Sequence, residues 1–167
     1  MNQADTRPAT VLMFATYALG ALGFFLAGLA DTAEDALGEV TVFAVGGVGV
    51  ASFLRHAVFA RGDAARMGWG REGGSNFQLE VGFANLAFGA VALLAHFGDW
   101  GVGAEAAITL AFGVYLLQAA LLHLRGYLNR ETRGAGRLGG LLASFAIGGG
   151  LIYLALNAAE AASLGPF

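Results

Sequence analysis

Three residues of this chain combine a ligating or proton-passing side chain with a place inside or beside an apolar segment: His56, Glu80 and His123. Two imidazoles and a carboxylate could ligate zinc or iron, or form a proton relay. A metal ion or a haem-type cofactor is the group such a set would take. The imidazoles would then be neutral and the carboxylate ionised, with Gln78 and Asn129 at the edge to orient the ligands.

Each residue also has a plainer reading. His56 and His123 fall near helix C-termini, where the helix dipole favours a histidine. Ser75-Asn-Phe-Gln78 is a capping box ahead of an apolar run, and capping alone explains that spacing. Glu80 then falls in the first turns of the helix, where the dipole favours a carboxylate. Eighteen residues without a charge follow it, however, and an ionisable group at such a boundary usually faces water or a partner. Helical geometry sets a further limit. Gln78, Gly82, Asn85 and Gly89 share a face, while Glu80 points roughly 140–160° away from Gln78 and Asn85. Asn85 is expected to hydrogen-bond a neighbouring helix. Gly49, Ser52 and His56 share a face of the preceding helix. His96, beside Asp99 and Trp100, joins no cluster.

The elements that must position these groups are helices in lipid. The chain has 167 residues, 57% hydrophobic and only 13% charged, with a mean hydropathy of +0.65; soluble domains are about a quarter charged. Five runs carry no Asp, Glu, Lys or Arg: Pro8–Ala30, Val40–Leu54, Val81–Gly98, Ala106–Leu124 and Leu138–Ala159. A helix needs about 20 residues to cross the hydrocarbon. The runs therefore predict an all-α polytopic membrane protein, a single transmembrane domain over 1–167. Its five helices are expected near 10–30, 40–60, 76–97, 104–124 and 138–158, with Arg55 snorkelling at the end of the second. No period-two alternation supports a barrel. The N-terminus lacks a basic region and a small-residue cleavage site, so the first apolar run is expected to stay as a helix.

All nine basic residues are arginine, and they fall before the first span, in the second connection or in the fourth, apart from Arg55 at the end of the second span. The first and third connections and the C-terminal tail carry acids. Positive-inside bias predicts a cytoplasmic N-terminus and an outside C-terminus in an inner or plasma membrane. Trp69 and Trp100 fall at the two expected interfaces. The triplet Gly148, Gly149 and Gly150 is either an oligomer seam or a crossing inside the bundle, since small residues serve both.

Other chemistry finds little footing. The chain has no cysteine, which excludes disulfides, thiolate metal sites and thiol nucleophiles. A formal GxGxxG at Gly68, Gly70 and Gly73 lacks the strand and acidic ribose contact of a dinucleotide site, and chance accounts for it in so glycine-rich a chain. No G-x-S-x-G, H-E-x-x-H or Walker pattern is present. The arginine loops are too short for nucleic-acid binding and read as topology determinants. No internal repeat supports an inverted-repeat transporter.

Gly68-Trp69, then Ser75-x-Phe77-Gln78-x-Glu80-Val81-Gly82-Phe83-Ala84-Asn85-Leu86, resembles the signature block of a family of small, uncharacterised bacterial membrane proteins. The resemblance covers roughly residues 50–155 and extends to a histidine ending the preceding helix, matched by His56. A histidine ending the following helix matches His123, and an Asn after it matches Asn129. Asn76 stands where family members often have Pro. The resemblance supports the candidate residues and implies no reaction.

Three readings follow. The first is a membrane protein whose polar site near the cytoplasmic leaflet binds a metal, a cofactor or a small polar ligand. The second is an accessory or scaffold subunit that assembles as a homo-oligomer, or with other membrane subunits, through glycine-rich helices. The third is a small transporter or proton-conducting channel in which Glu80 and the histidines titrate.

Overall fold

The computed structural model describes residues 4–67, 76–129 and 135–164. Among them the regular elements are six helices and no strand: α1 (Arg7–Ala27), α2 (Ala33–Val58), α3 (Ala60–Met67), α4 (Asn76–Phe97), α5 (Val102–Leu128) and α6 (Ala135–Leu164). All but α3 are long and apolar enough to cross a membrane. This is the five-span helical bundle of a multi-pass membrane protein.

The spans are placed much as the apolar runs predict, with two differences around α2. Its start lies at Ala33, seven residues before the expected 40. Thr32 is the N-cap: its hydroxyl accepts from the Asp35 N–H at 3.0 Å and donates to Asp35 Oδ2 at 2.7 Å. Glu34 and Asp35 fill the first turn, where the dipole favours carboxylates. The acids that end an apolar run are therefore the beginning of the helix. At the other end α2 stops at Val58, Phe59 turns the chain (φ −104°, ψ 30°), and the short α3 begins at once. The expected long polar connection starts instead with two turns of helix.

Helix α2 is the centre of the bundle. Of its most apolar window 61% is buried, against 17–28% for the other four spans. Helices α1 and α4 flank it, while α5 and α6 pair with each other and cover its first half. Leu37, Val40, Ala44, Val45 and Val48 of α2 meet Ala92, Phe112, Leu151 and Ala155 in the core. A buried hydroxyl pair, Thr41 and Thr109 at 2.9 Å, ties α2 to α5.

Lipid offers no hydrophobic drive between helices, so close backbone approach must hold them. Two glycine crossings provide it. A Cβ on Gly49 would lie 2.6 Å from the Asn85 carbonyl oxygen and 2.8 Å from the Gly89 Cα, which locks α2 to α4. A Cβ on Gly113 would lie 3.0 Å from the Gly148 carbonyl, which locks α5 to α6. The glycine triplet divides its labour. Gly148 makes that crossing, Gly150 admits the Phe24 ring of α1, and Gly149 faces open space with nothing within 4 Å of a would-be Cβ.

Helix α2 is also wound unusually. Val40–Gly47 and Leu54–Val58 are π-helical, with ordinary α-helix between them. Such i→i+5 turns are rare and tend to occur at functional sites. A π turn takes more residues than an α turn, so it rotates the side chains it carries away from their regular-helix positions. Arg55 and His56 lie in the second π segment.

A buried charge cluster as candidate functional site

The corner at Phe59 folds α3 back beneath the end of α2, and this carries Asp63 to Arg55 and His56. The Asp63 side chain has no accessible surface, and those of His56, Arg55 and Arg66 retain 13%, 15% and 20%. Arg66, one turn along α3, donates to Asp63 Oδ1 from Nη2 at 2.8 Å and from Nε at 3.2 Å. Its Nη1 reaches the Met13 thioether of α1 at 3.1 Å. Arg55 Nε stands 3.9 Å from the same carboxylate oxygen, and Arg55 Nη2 lies 2.8 Å from His56 Nε2.

Those contacts fix the state of His56. A guanidinium has hydrogens to give and no lone pair. His56 Nε2 must therefore accept from Arg55, and the ring is neutral with its proton on Nδ1, turned toward Asp63. His56 Nδ1 and Asp63 Oδ2 approach to 2.9 Å, but the contact is bent. Neither atom has a well-aligned hydrogen bond, and neither does buried Arg55 Nε. Distance marks the pairing as electrostatic; angle leaves three buried polar atoms incompletely satisfied.

Burial acts most strongly on Asp63 and on its own would raise the carboxyl. The close contact of His56 Nδ1, the hydrogen bonds from Arg66 and the positive charge of Arg55 together outweigh it and hold the carboxyl below its ordinary value. Asp63 is thus an anion at neutral pH.

The remaining helices close around this group. Gln78, buried at the start of α4, donates to the Ala60 carbonyl at 3.0 Å and pins the α2–α3 corner. Asn85, also buried, donates from Nδ2 to the Val81 carbonyl at 2.7 Å and to the Tyr115 hydroxyl of α5 at 3.1 Å. Tyr115 and Tyr17 of α1 lie close enough to Arg55 to act on its charge. On α6, a Cβ at Gly140 would come within 3.1 Å of the Tyr17 hydroxyl. A groove of about 520 Å³ lined by Ala4, Asp5 and residues 57–62 lies on the outside of the same corner and touches none of the four charged or imidazole side chains.

The residues expected to act together divide. His56 is in the cluster, and Gln78 and Asn85 support it. Glu80 is exposed, because the face of α4 that turns inward is Gln78, Gly82, Asn85 and Gly89. His123 is exposed near the end of α5, and Asn129 is exposed at its C-cap. Among the described residues, no group of three or more His, Asp or Glu could hold a metal ion. His56, Glu80 and His123 are not gathered into one such group. Both nitrogens of His56 are turned to Arg55 and Asp63. His96, expected to stand alone, lies 3.3 Å from Glu105 Oε2 at the opposite end of the bundle. Ser75, Trp69 and the Gly68–Gly73 stretch lie outside the described residues.

Asp63, Arg55, Arg66 and Tyr115 are the members that sequence reasoning missed. One signal was present: Asp63 and Arg66 stand at i,i+3, a helical pairing distance, in a stretch read as connection.

The family of unknown function DUF6790 matches residues 6–163, which takes in the entire cluster. No curated protein matches the chain, and no solved structure does.

Proposed function

We propose that this chain, which belongs to the family of unknown function DUF6790, is a multi-pass membrane protein that binds a small polar ligand at Arg55, His56, Asp63 and Arg66. The observation that carries this reading is the trio of buried polar atoms without an aligned partner: Arg55 Nε, His56 Nδ1 and Asp63 Oδ2. Such atoms are uncommon in folded proteins, and each calls for an explanation. A stability role explains them poorly. Taking charges out of water costs several kcal/mol per ion, and well-packed apolar residues would often hold the same corner as well or better. A ligand that completes the hydrogen bonds accounts for both the charges and their imperfect pairing. The arginine distribution supports placing this end of the bundle in the cytoplasm.

The test is thermal unfolding of the purified protein in mild detergent against a panel of small cationic, zwitterionic, neutral and anionic metabolites and divalent zinc. Wild type should show a saturable rise in Tm with one compound class, and Arg66→Gln and His56→Gln should lose at least tenfold in apparent affinity while eluting at the wild-type size. A response that survives both substitutions would place the ligand elsewhere.

The outward position of Gly149 favours a second reading, self-association through α6. In that case Gly149→Leu changes the oligomeric size while the histidine substitution leaves it unaltered.

A further inference from the structure

We infer that the ligand of this cluster is an anion carrying a phosphate, sulfate or carboxylate group, held against Arg55; this rests on the reading above that the cluster binds a ligand. Charge and hydrogen-bond inventory lead to it. The Asp63 carboxylate oxygen nearest the arginines, Oδ1, already takes both hydrogen bonds from Arg66. Arg55 is left 3.9 Å from that oxygen, beyond hydrogen-bond reach. Its one close side-chain partner, His56 Nε2, is neutral and offers a lone pair but no charge. Asp63 is the only acid that pairs with Arg55 or Arg66 among the described residues.

Among the described residues the sum is two guanidinium charges against one carboxylate, and arginine does not escape by losing its proton. His56 cannot compensate, since protonating Nε2 would set an N–H against the guanidinium. One positive charge is therefore in excess in a site with little solvent, where an unbalanced charge is costly. A neutral or cationic ligand cannot remove that excess. An anion can: Arg55 Nε has no hydrogen-bond partner, and Tyr17 and Tyr115 lie within electrostatic range of the same guanidinium. Planar guanidinium and tetrahedral or planar oxyanion groups fit each other through paired N–H···O bonds. Tyr17 is 37% exposed, and two sources of the anion fit the cluster, water or a phospholipid headgroup. The recognition chemistry is the same.

Two arms separate those sources. In the first, Tm is followed in detergent with neutral lipid while inorganic phosphate, sulfate or acetate replaces chloride at constant ionic strength. In the second, wild type in phosphatidylcholine nanodiscs doped with phosphatidylglycerol is ejected and its retained lipid weighed by native mass spectrometry. A saturable response to a free oxyanion assigns a water-borne anion. Selective retention of phosphatidylglycerol with no response to free anions assigns the headgroup. In either case Arg55→Gln should reduce the effect at least tenfold, and Arg55→Lys, which keeps the charge and loses the fork, should retain part of it. Tyr115→Phe, which keeps the ring packing, should weaken anion binding several-fold and provides the readout if Arg55→Gln does not fold. Anion binding that is indifferent to Tyr115→Phe and to either Arg55 variant overturns the inference. A neutral or zwitterionic metabolite that shifts Tm through Arg66 and His56, with oxyanions and phosphatidylglycerol inert, sinks the anion assignment and leaves the ligand site standing. No response to any compound removes both.

Discussion

Asp63 is the residue on which the cluster turns, and its burial among Arg55, His56 and Arg66 makes its charge consequential. Removing one partner of a buried, hydrogen-bonded charge group typically costs about 3–5 kcal/mol, because the others are left uncompensated. Asp63→Ala should therefore destabilise the protein by roughly that amount in reversible SDS or thermal unfolding, with Asp63→Asn milder because the amide keeps one acceptor. The pH dependence has a definite sign. The carboxyl is depressed in the fold from an ordinary value of 3.8. Its contribution is then fully present above the unfolded value and is lost as pH falls through the folded one. The stability gap between wild type and Asp63→Asn should be constant above about pH 5 and should close only below about pH 4. A gap that closes near neutrality would mean Asp63 is not held as an anion. Little of this was legible beforehand. His56, Gln78 and Asn85 stand out by residue type in an apolar setting, but Arg55 and Asp63 sit where topology alone explains arginine and a connection alone explains aspartate. Their pairing depends on the one-residue corner at Phe59, and no composition rule encodes a corner.

Helix α2 shows the same limit at the scale of the element. Charge-free runs located all five spans because lipid forbids uncompensated charge in their middles. The same criterion misses helix that extends beyond the hydrocarbon, as α2 does through Thr32 and its acidic first turn. It also misses π winding, which leaves composition unchanged and alters only the turn. Glycine clustering was legible as close packing, but which glycine meets which helix was not. The crossing of α2 and α4 depends on Gly49, where even a methyl group would sit 2.6 Å from a backbone oxygen. Gly49→Ala should cost about 1–3 kcal/mol, the usual range for overpacking a tight contact. Gly149→Ala, with open space around it, should stay within about 0.5 kcal/mol of wild type as an exposed surface change does. Equal costs at the two positions would show that the crossing is looser than its geometry.

For the molecule as a whole, helix order places the described arginines at one end of the bundle: Arg7 before the body of α1, Arg55, Arg61 and Arg66 around the α2–α3 corner, and Arg125 in the last turn of α5. The acids Asp31, Glu34, Asp35, Asp99 and Glu105 gather at the other end, as alternating spans require. Arginine excess is retained on the cytoplasmic side during insertion, so the charge cluster should face the cytoplasm. A chain without cysteine allows a direct check, because any thiol introduced is the only one. Ala65→Cys on α3, Asp31→Cys between α1 and α2, and Ser163→Cys near the end of α6 are all at exposed positions and leave every arginine in place. A membrane-impermeant maleimide applied to intact spheroplasts should label Asp31→Cys and Ser163→Cys, and should reach Ala65→Cys only after permeabilisation. That pattern would make the ligand of Arg55 a cytoplasmic anion or an inner-leaflet headgroup. The reverse pattern would break the arginine argument and turn the same guanidinium toward the outside. Labelling of Asp31→Cys and Ser163→Cys on opposite sides would contradict the five-span bundle itself, since the four crossings of α2, α4, α5 and α6 between them return the chain to the same side.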